Sequence, residues 1–139
     1  MRAELNRNIT VGEVALPVQK MVLLRSTDMF RVAIEKMSKE RLGIVCIVDE
    51  DDKLAGVFTD GDIRRMLLRQ HKPIAALFSE DIGDHMTQSS KTVTAAMTLE
   101  EAISFMETTD VLDLPVVDES GRLTGLLHLH TALKYLLGL

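Results

Sequence analysis

The sequence predicts an α+β fold made of two copies of one unit, related by a pseudo-twofold and packed as one compact module. Three observations carry that prediction. Residues 27–67 lie on residues 96–136 without a gap, so that Ala33 meets Ala102, Ile34 meets Ile103, Met37 meets Met106 and Gly56 meets Gly125. The string Val48-Asp49-Glu50 returns as Val117-Asp118-Glu119. Between these identities the pairs stay apolar, among them Phe30/Leu99, Ile47/Val116 and Leu67/Leu136, so the match is one of fold and not of composition. A chain of 139 residues has the usual size of one domain, and each copy is too small to bury its apolar faces alone.

Each copy reads as helix, strand, turn, strand, helix. In the first, Ser26, Thr27 and Asp28 offer capping oxygens, and Met29, Phe30, Ala33, Ile34 and Met37 follow at helical spacing, a face expected to be buried. The run Ile44-Val45-Cys46-Ile47-Val48 suits a strand covered on both faces. Acidic residues Asp49 to Asp52 turn the chain into a second strand, Leu54 to Thr59, and a helix follows from Asp60 to Arg69. In the second copy Thr98 stands three residues before Glu101, which is a capping box, and Ala102, Ile103 and Met106 continue the apolar stripe. Leu114 to Val117 is a strand, Glu119 to Arg122 a turn, Leu123 to Leu127 the next strand, and a helix closes the chain. His71-Lys72-Pro73 breaks the helix between the copies. Residues 74–93 then connect them, and Asp81-Ile82-Gly83-Asp84 echoes Thr10-Val11-Gly12-Glu13, a short lead-in to each repeat. The repeats are bounded at 8–72 and 79–137.

Composition narrows the function classes. Apolar residues make up 46% and charged residues 27%, with no apolar run near the ~18 residues that span a bilayer. Membrane insertion is therefore not expected. Residues 1–7 lack the apolar stretch of a signal peptide, and a single cysteine implies no disulfide framework, which makes a reducing cytoplasm the default. A net charge of −5 argues against a broad nucleic-acid surface.

The lead-ins, the Ala-Ile-x-x-Met helices, the Val-Asp turns and the segment Gly56-Val57-Phe58-Thr59-Asp60-Gly61-Asp62 together resemble a tandem pair of cystathionine-β-synthase (CBS) domains, of β-α-β-β-α type, from about Val11 to Leu136. Asp60-Gly61-Asp62-Ile63-Arg64-Arg65 and Gly125-Leu126-Leu127-His128-Leu129-His130 resemble the C-terminal pair of arabinose-5-phosphate isomerases, which serve Kdo and lipopolysaccharide synthesis. The resemblance implies a regulatory module rather than a catalyst. It implies a nucleotide or nucleotide-sugar effector, such as CMP-Kdo, in the cleft between the repeats, with adenine nucleotides as the nearest rival. It implies an isomerase domain in the same or a partner chain and a homodimer made through helical faces. The alternative of a different class is a structural dimerisation module without ligand. The ending Leu-Leu-Gly-Leu suits a terminal regulatory domain.

Family sites commonly place Thr or Ser three residues before Asp. Thr59 and Asp62 satisfy this; His128 and Thr131 do not, so one good site and one altered or vacant site are expected. A carboxylate in the first turn of a helix can accept from vicinal ribose hydroxyls, while the helix N-terminus favours phosphate. Equally, Asp60 and Asp62 can simply stabilise the helix end, by about 0.3–1 kcal/mol each. Arg64 and Arg65, one turn on, offer planar guanidinium groups to an anion, against the commoner role of solvated surface arginines. His128 and His130 stand two apart at a strand end and so point one way, lining the second cleft. With no third donor they are not read as a metal site. His71 and His85 are ordinary polar positions. Cys46 is an inert, buried strand thiol.

The Asp49 to Asp52 run is not a calcium loop, because Leu54 stands where glycine is required and Asp60 where the bidentate Glu belongs. The eight methionines fall mostly at core spacing, and phosphate loops and nucleophile elbows are absent. No cofactor is expected beyond the effector itself.

Overall fold

A computed structural model describes residues 8–69 and 71–139, so the leader reading of residues 1–7 lies outside the described residues. In chain order the first half holds α1 (Val11–Val14), β1 (Leu16–Pro17), β2 (Leu23–Leu24), α2 (Phe30–Glu40), β3 (Ile44–Val48), β4 (Leu54–Thr59) and α3 (Asp60–Arg69). The second half holds α4 (Ile74–Leu77), α5 (Leu99–Thr109), β5 (Asp113–Val117), β6 (Leu123–His128) and α6 (Leu129–Leu136). The class is α+β, with strand orders β2-β3-β4 and β1-β6-β5. No helix among the described residues is long and apolar enough to cross a membrane.

Val22–Ser90 forms one compact unit, and residues 8–21 join Lys91–Leu139 in the other. The sequence repeats and the compact units are thus different partitions of the chain. Within Val22–Ser90, β2 runs parallel to β3, β3 antiparallel to β4, and Thr87 of the connector bridges Val57 on the far edge of β4. In the other unit Val93 runs parallel to Val116 of β5, β5 antiparallel to β6, and β1 pairs with the far edge of β6. The connector therefore completes the first repeat's sheet, and the N-terminal lead-in completes the second's. Equivalent backbone bonds fix both lead-ins. Ile82 N donates to Asp28 O (2.7 Å) and Gly83 N to Ser26 O (2.8 Å), as Val11 N donates to Met97 O (2.8 Å) and Gly12 N to Ala95 O (2.9 Å). Val11 and Ile82 are fully buried, and each such side chain stabilises its unit by about 1.5–3 kcal/mol.

Two repeated residues gain a physical reason here. A Cβ at Gly56 would stand 2.8 Å from Thr87 O, and one at Gly125 would stand 2.7 Å from Leu16 O, so only glycine lets the lead-in strand approach. Asp49 Oδ1 accepts from the Asp51 and Lys53 amides, and Asp118 Oδ1 from the Ser120 and Arg122 amides, which closes the turn after the Val-Asp pair in each copy. The Ser120 hydroxyl bond and then the Arg122 amide bond hold the Asp118 carboxyl below its ordinary value.

The start of the first long helix departs from expectation. Thr98 and Glu101 form the predicted capping box of α5, but α2 begins at Phe30 behind Met29, with no side-chain cap. Asp28 Oδ2 accepts from Arg25 N (2.7 Å) instead. The connector supplies the missing acceptors, since Phe30 N donates to Glu80 O (2.7 Å) and Arg31 N to Phe78 O (3.1 Å). Cys46 lies buried in β3, whose five residues are all buried.

Candidate functional site

The Thr59–Asp62 corner forms where β4 runs directly into α3. Thr59 is the last strand residue, and Asp60 and Asp62 stand in the first helical turn. Thr59 N and Thr59 Oγ1 donate to Asp62 Oδ2 at 2.9 and 3.1 Å, while Asp62 N donates to Thr59 Oγ1 at 3.1 Å, the reciprocal bonds of a capping box. Arg65 donates to Asp62 Oδ1 at 2.7 Å, and Thr87 Oγ1 donates to the same oxygen at 3.2 Å. The Asp62 side chain is only 11% exposed, whereas Arg65, which bonds it, is 49% exposed. The pair of Asp62 with Arg65 was not foreseen; its i,i+3 spacing was the available signal. The contribution of Thr87 had no local signal, because the chain returns from the connector to make it.

The remaining candidates stand apart from that cluster. Asp60 is exposed, with its amide bonded to Gly43 O (3.1 Å), and forms the rim of an open hollow of about 400 Å³ floored by Ile34, Met37, Leu42 and Ile63, with Arg41 on the same rim. Arg64 is exposed on α3. A second hollow of about 630 Å³ lies over the β3–β4 turn, between Arg25, Ser26, Thr27 and Asp49 to Asp51.

In the second copy the geometry corrects the reading of the histidines. His128 ends β6, but His130 lies in the first turn of α6, so the two do not share a strand face. The strand stops two residues earlier than that reading requires because the chain turns into its closing helix at Leu129, as the first copy does at Asp60. Their rings nonetheless lie 5.3 Å apart. His128 Nδ1 is 2.8 Å from Asp113 Oδ1, its cross-strand neighbour on β5. The second copy thus carries its carboxylate on a strand, whereas the first carries it at Asp62. No group of three or more metal-capable side chains occurs among the described residues.

His85, read as an ordinary polar position, is neither solvated nor isolated. Its side chain is 10% exposed, its Nε2 lies 2.8 Å from Glu80 Oε1, and its ring meets the edge of Phe30 at 5.8 Å. Lys72 Nζ reaches the other oxygen of Glu80 at 2.7 Å. The Lys72 bond first, and the His85 bond next, hold the Glu80 carboxyl below its ordinary value.

Comparison with known proteins agrees with this architecture. The CBS domain family matches the chain twice, over residues 11–69 and 80–138. The chain is 38% identical over 102 residues to arabinose 5-phosphate isomerase KdsD of Pseudomonas aeruginosa, covering 73% of this chain and 30% of that protein. It is 33% identical over 97 residues to arabinose 5-phosphate isomerase GutQ of Salmonella typhi, covering 70% and 29%. The chain thus spans about a third of the length of these curated relatives. Among solved structures, CBSX2 in complex with AMP, a protein of Arabidopsis thaliana, superposes with a TM-score of 0.80 at 27% identity, over 91% of this chain and 94% of that one.

Proposed function

Since the chain belongs to the CBS domain family and carries two of its domains, we propose that it is a regulatory module that binds a nucleotide or nucleotide-sugar at the Thr59–Asp62 corner. Through that binding it modulates a sugar-phosphate isomerase of Kdo and lipopolysaccharide synthesis, carried in the same or a partner chain. The observation that carries this reading is the corner itself, a nearly buried carboxylate set at a strand-to-helix junction in a chain similar to two arabinose 5-phosphate isomerases. CMP-Kdo is the effector that pathway logic favours, because feedback needs a molecule unlike the enzyme's own substrate. The module itself does no chemistry.

Two observations favour other occupants. The likeness to CBSX2 in complex with AMP supports an adenine-nucleotide sensor. The full set of internal donors on Asp62 supports a structural module that dimerises through helical faces, on which Leu67, Leu68 and Tyr135 are exposed.

A thermal-shift series with AMP, ADP, ATP, CMP, CMP-Kdo and arabinose 5-phosphate separates the readings, because a ligand of the folded state raises the midpoint with its saturation. A selective rise with CMP and CMP-Kdo is expected. A rise confined to adenylates selects the energy-sensing reading, and no rise with any of the six rejects effector binding.

A further inference from the structure

We propose that Arg65 is a lid on the Asp62 carboxylate that only a phosphate-bearing ligand lifts, so that the corner accepts nucleotides and rejects the corresponding nucleosides. The proposal rests on the nucleotide reading above and names the residue that sets its selectivity.

A carboxylate offers about four lone-pair positions. At Asp62 four donors already occupy them: Thr59 N and Oγ1 on Oδ2, Arg65 and Thr87 Oγ1 on Oδ1. A ribose diol can therefore reach this carboxylate only by displacing a donor. The two on Oδ2 belong to the cap of α3, whereas the Val57–Thr87 bridge fixes the Thr87 backbone and leaves its hydroxyl, 3.2 Å from Oδ1, free to turn. A diol that donates twice needs the places of both donors on Oδ1, and Arg65 is the charged one of the two, a long side chain half exposed to solvent. A neutral nucleoside that pushes it aside leaves a guanidinium without its counter-charge. A phosphate gives that guanidinium a planar, doubly hydrogen-bonded partner in exchange for the one it loses.

The position of the lid depends on Gly61. A Cβ there would stand 3.2 Å from Arg65 Nη1 and 3.3 Å from Nη2, so the missing side chain leaves the space in which the guanidinium lies. The internal duplication supplies a control. At the positions equivalent to Thr59, Gly61, Asp62 and Arg65 the second copy has His128, His130, Thr131 and Lys134, and at the strand position equivalent to Thr87 it has Leu16. The copy that has no carboxylate at the position of Asp62 also lacks the fork, the gap beneath it and the second donor. That joint difference is expected if the five residues act as one device.

The test is calorimetric titration of the whole chain with AMP against adenosine, and with CMP against cytidine, for wild type, Arg65→Ala, Gly61→Ala and Asp62→Asn, with melting curves to verify folding. Arg65→Ala is expected to weaken monophosphate binding while strengthening nucleoside binding about two- to fivefold, the range spanned by an exposed ion pair. Gly61→Ala, which crowds the guanidinium but keeps its charge, is expected to strengthen nucleoside binding as well. If Arg65→Ala weakens nucleotide and nucleoside alike, or leaves their ratio unchanged, the lid is overturned while Asp62-dependent nucleotide binding stands. If wild type binds neither monophosphate, or Asp62→Asn binds as wild type does, the nucleotide reading of this corner falls and the lid falls with it.

Discussion

Asp62 both caps α3 and offers the acceptor on which the functional reading depends, so removing it entirely would confuse the two roles. Asp62→Ala should lower stability by about 1 kcal/mol through loss of the cap. Asp62→Asn keeps an acceptor for the Thr59 amide but not the charge that holds Arg65, and is expected to abolish detectable nucleotide binding with a smaller loss of stability; equal affinity in a calorimetric titration would remove Asp62 from the site. Close packing is equally local at Gly56, where an added Cβ would meet both Thr87 O and Met86 Sδ at 2.8 Å. Gly56→Ala is expected to destabilise Val22–Ser90 by about 1–3 kcal/mol in urea denaturation, since the obstacle is backbone and cannot rotate away. Residue chemistry was legible at the capping box of Thr98 with Glu101, while the equally local pair of Asp62 with Arg65 went unread. It was not legible for His128 with Asp113 or Asp62 with Thr87, whose partners come from another strand and from the returning connector.

The elements show the same division between local and distant causes. The helices α2 and α5 were legible from apolar spacing, but the first residue of α2 was not, because its amides are satisfied by carbonyls of the connector and not by Ser26, Thr27 or Asp28. Both helices end on a non-glycine residue in the left-handed region, Arg41 at φ 53° and Asp110 at φ 55°. Glycine is preferred there, so Arg41→Gly is expected to raise stability by about 0.5–1 kcal/mol; an unchanged denaturation midpoint would mean that contacts of Arg41 offset the strain. The connector's own anchor is Glu80, between Lys72 and His85. Its carboxyl is lowered by these partners, so its contribution is present above the ordinary carboxylate range and is lost as pH falls through the lowered native value. Glu80→Gln should therefore unfold with a shallower dependence on pH in the acid range than wild type; an identical acid profile would show that the triad adds nothing to docking of the connector.

For the whole molecule, the duplication predicted the α+β class and two similar units, while the assignment of each lead-in depended on long-range pairing that no local pattern records. Residues 8–21 belong with Lys91–Leu139, so deleting residues 1–21 removes Val11 from the second repeat's core and β1 from the edge of its sheet. Hydrogen exchange is expected to rise in α5, β5 and β6 and to stay low in β3 and β4; the reverse pattern would refute this partition. The two repeats also differ in chemistry, with Thr59 and Asp62 in one and His128, Asp113 and Thr131 in the other, so one module should offer one effector site of the Thr-x-x-Asp kind. The most direct test of the account is the stoichiometry of nucleotide binding by calorimetry on the whole chain, using the ligand that raises the melting midpoint most. One site per chain, lost in Asp62→Asn, is the predicted result; two equal sites, or one that survives Asp62→Asn, would contradict it.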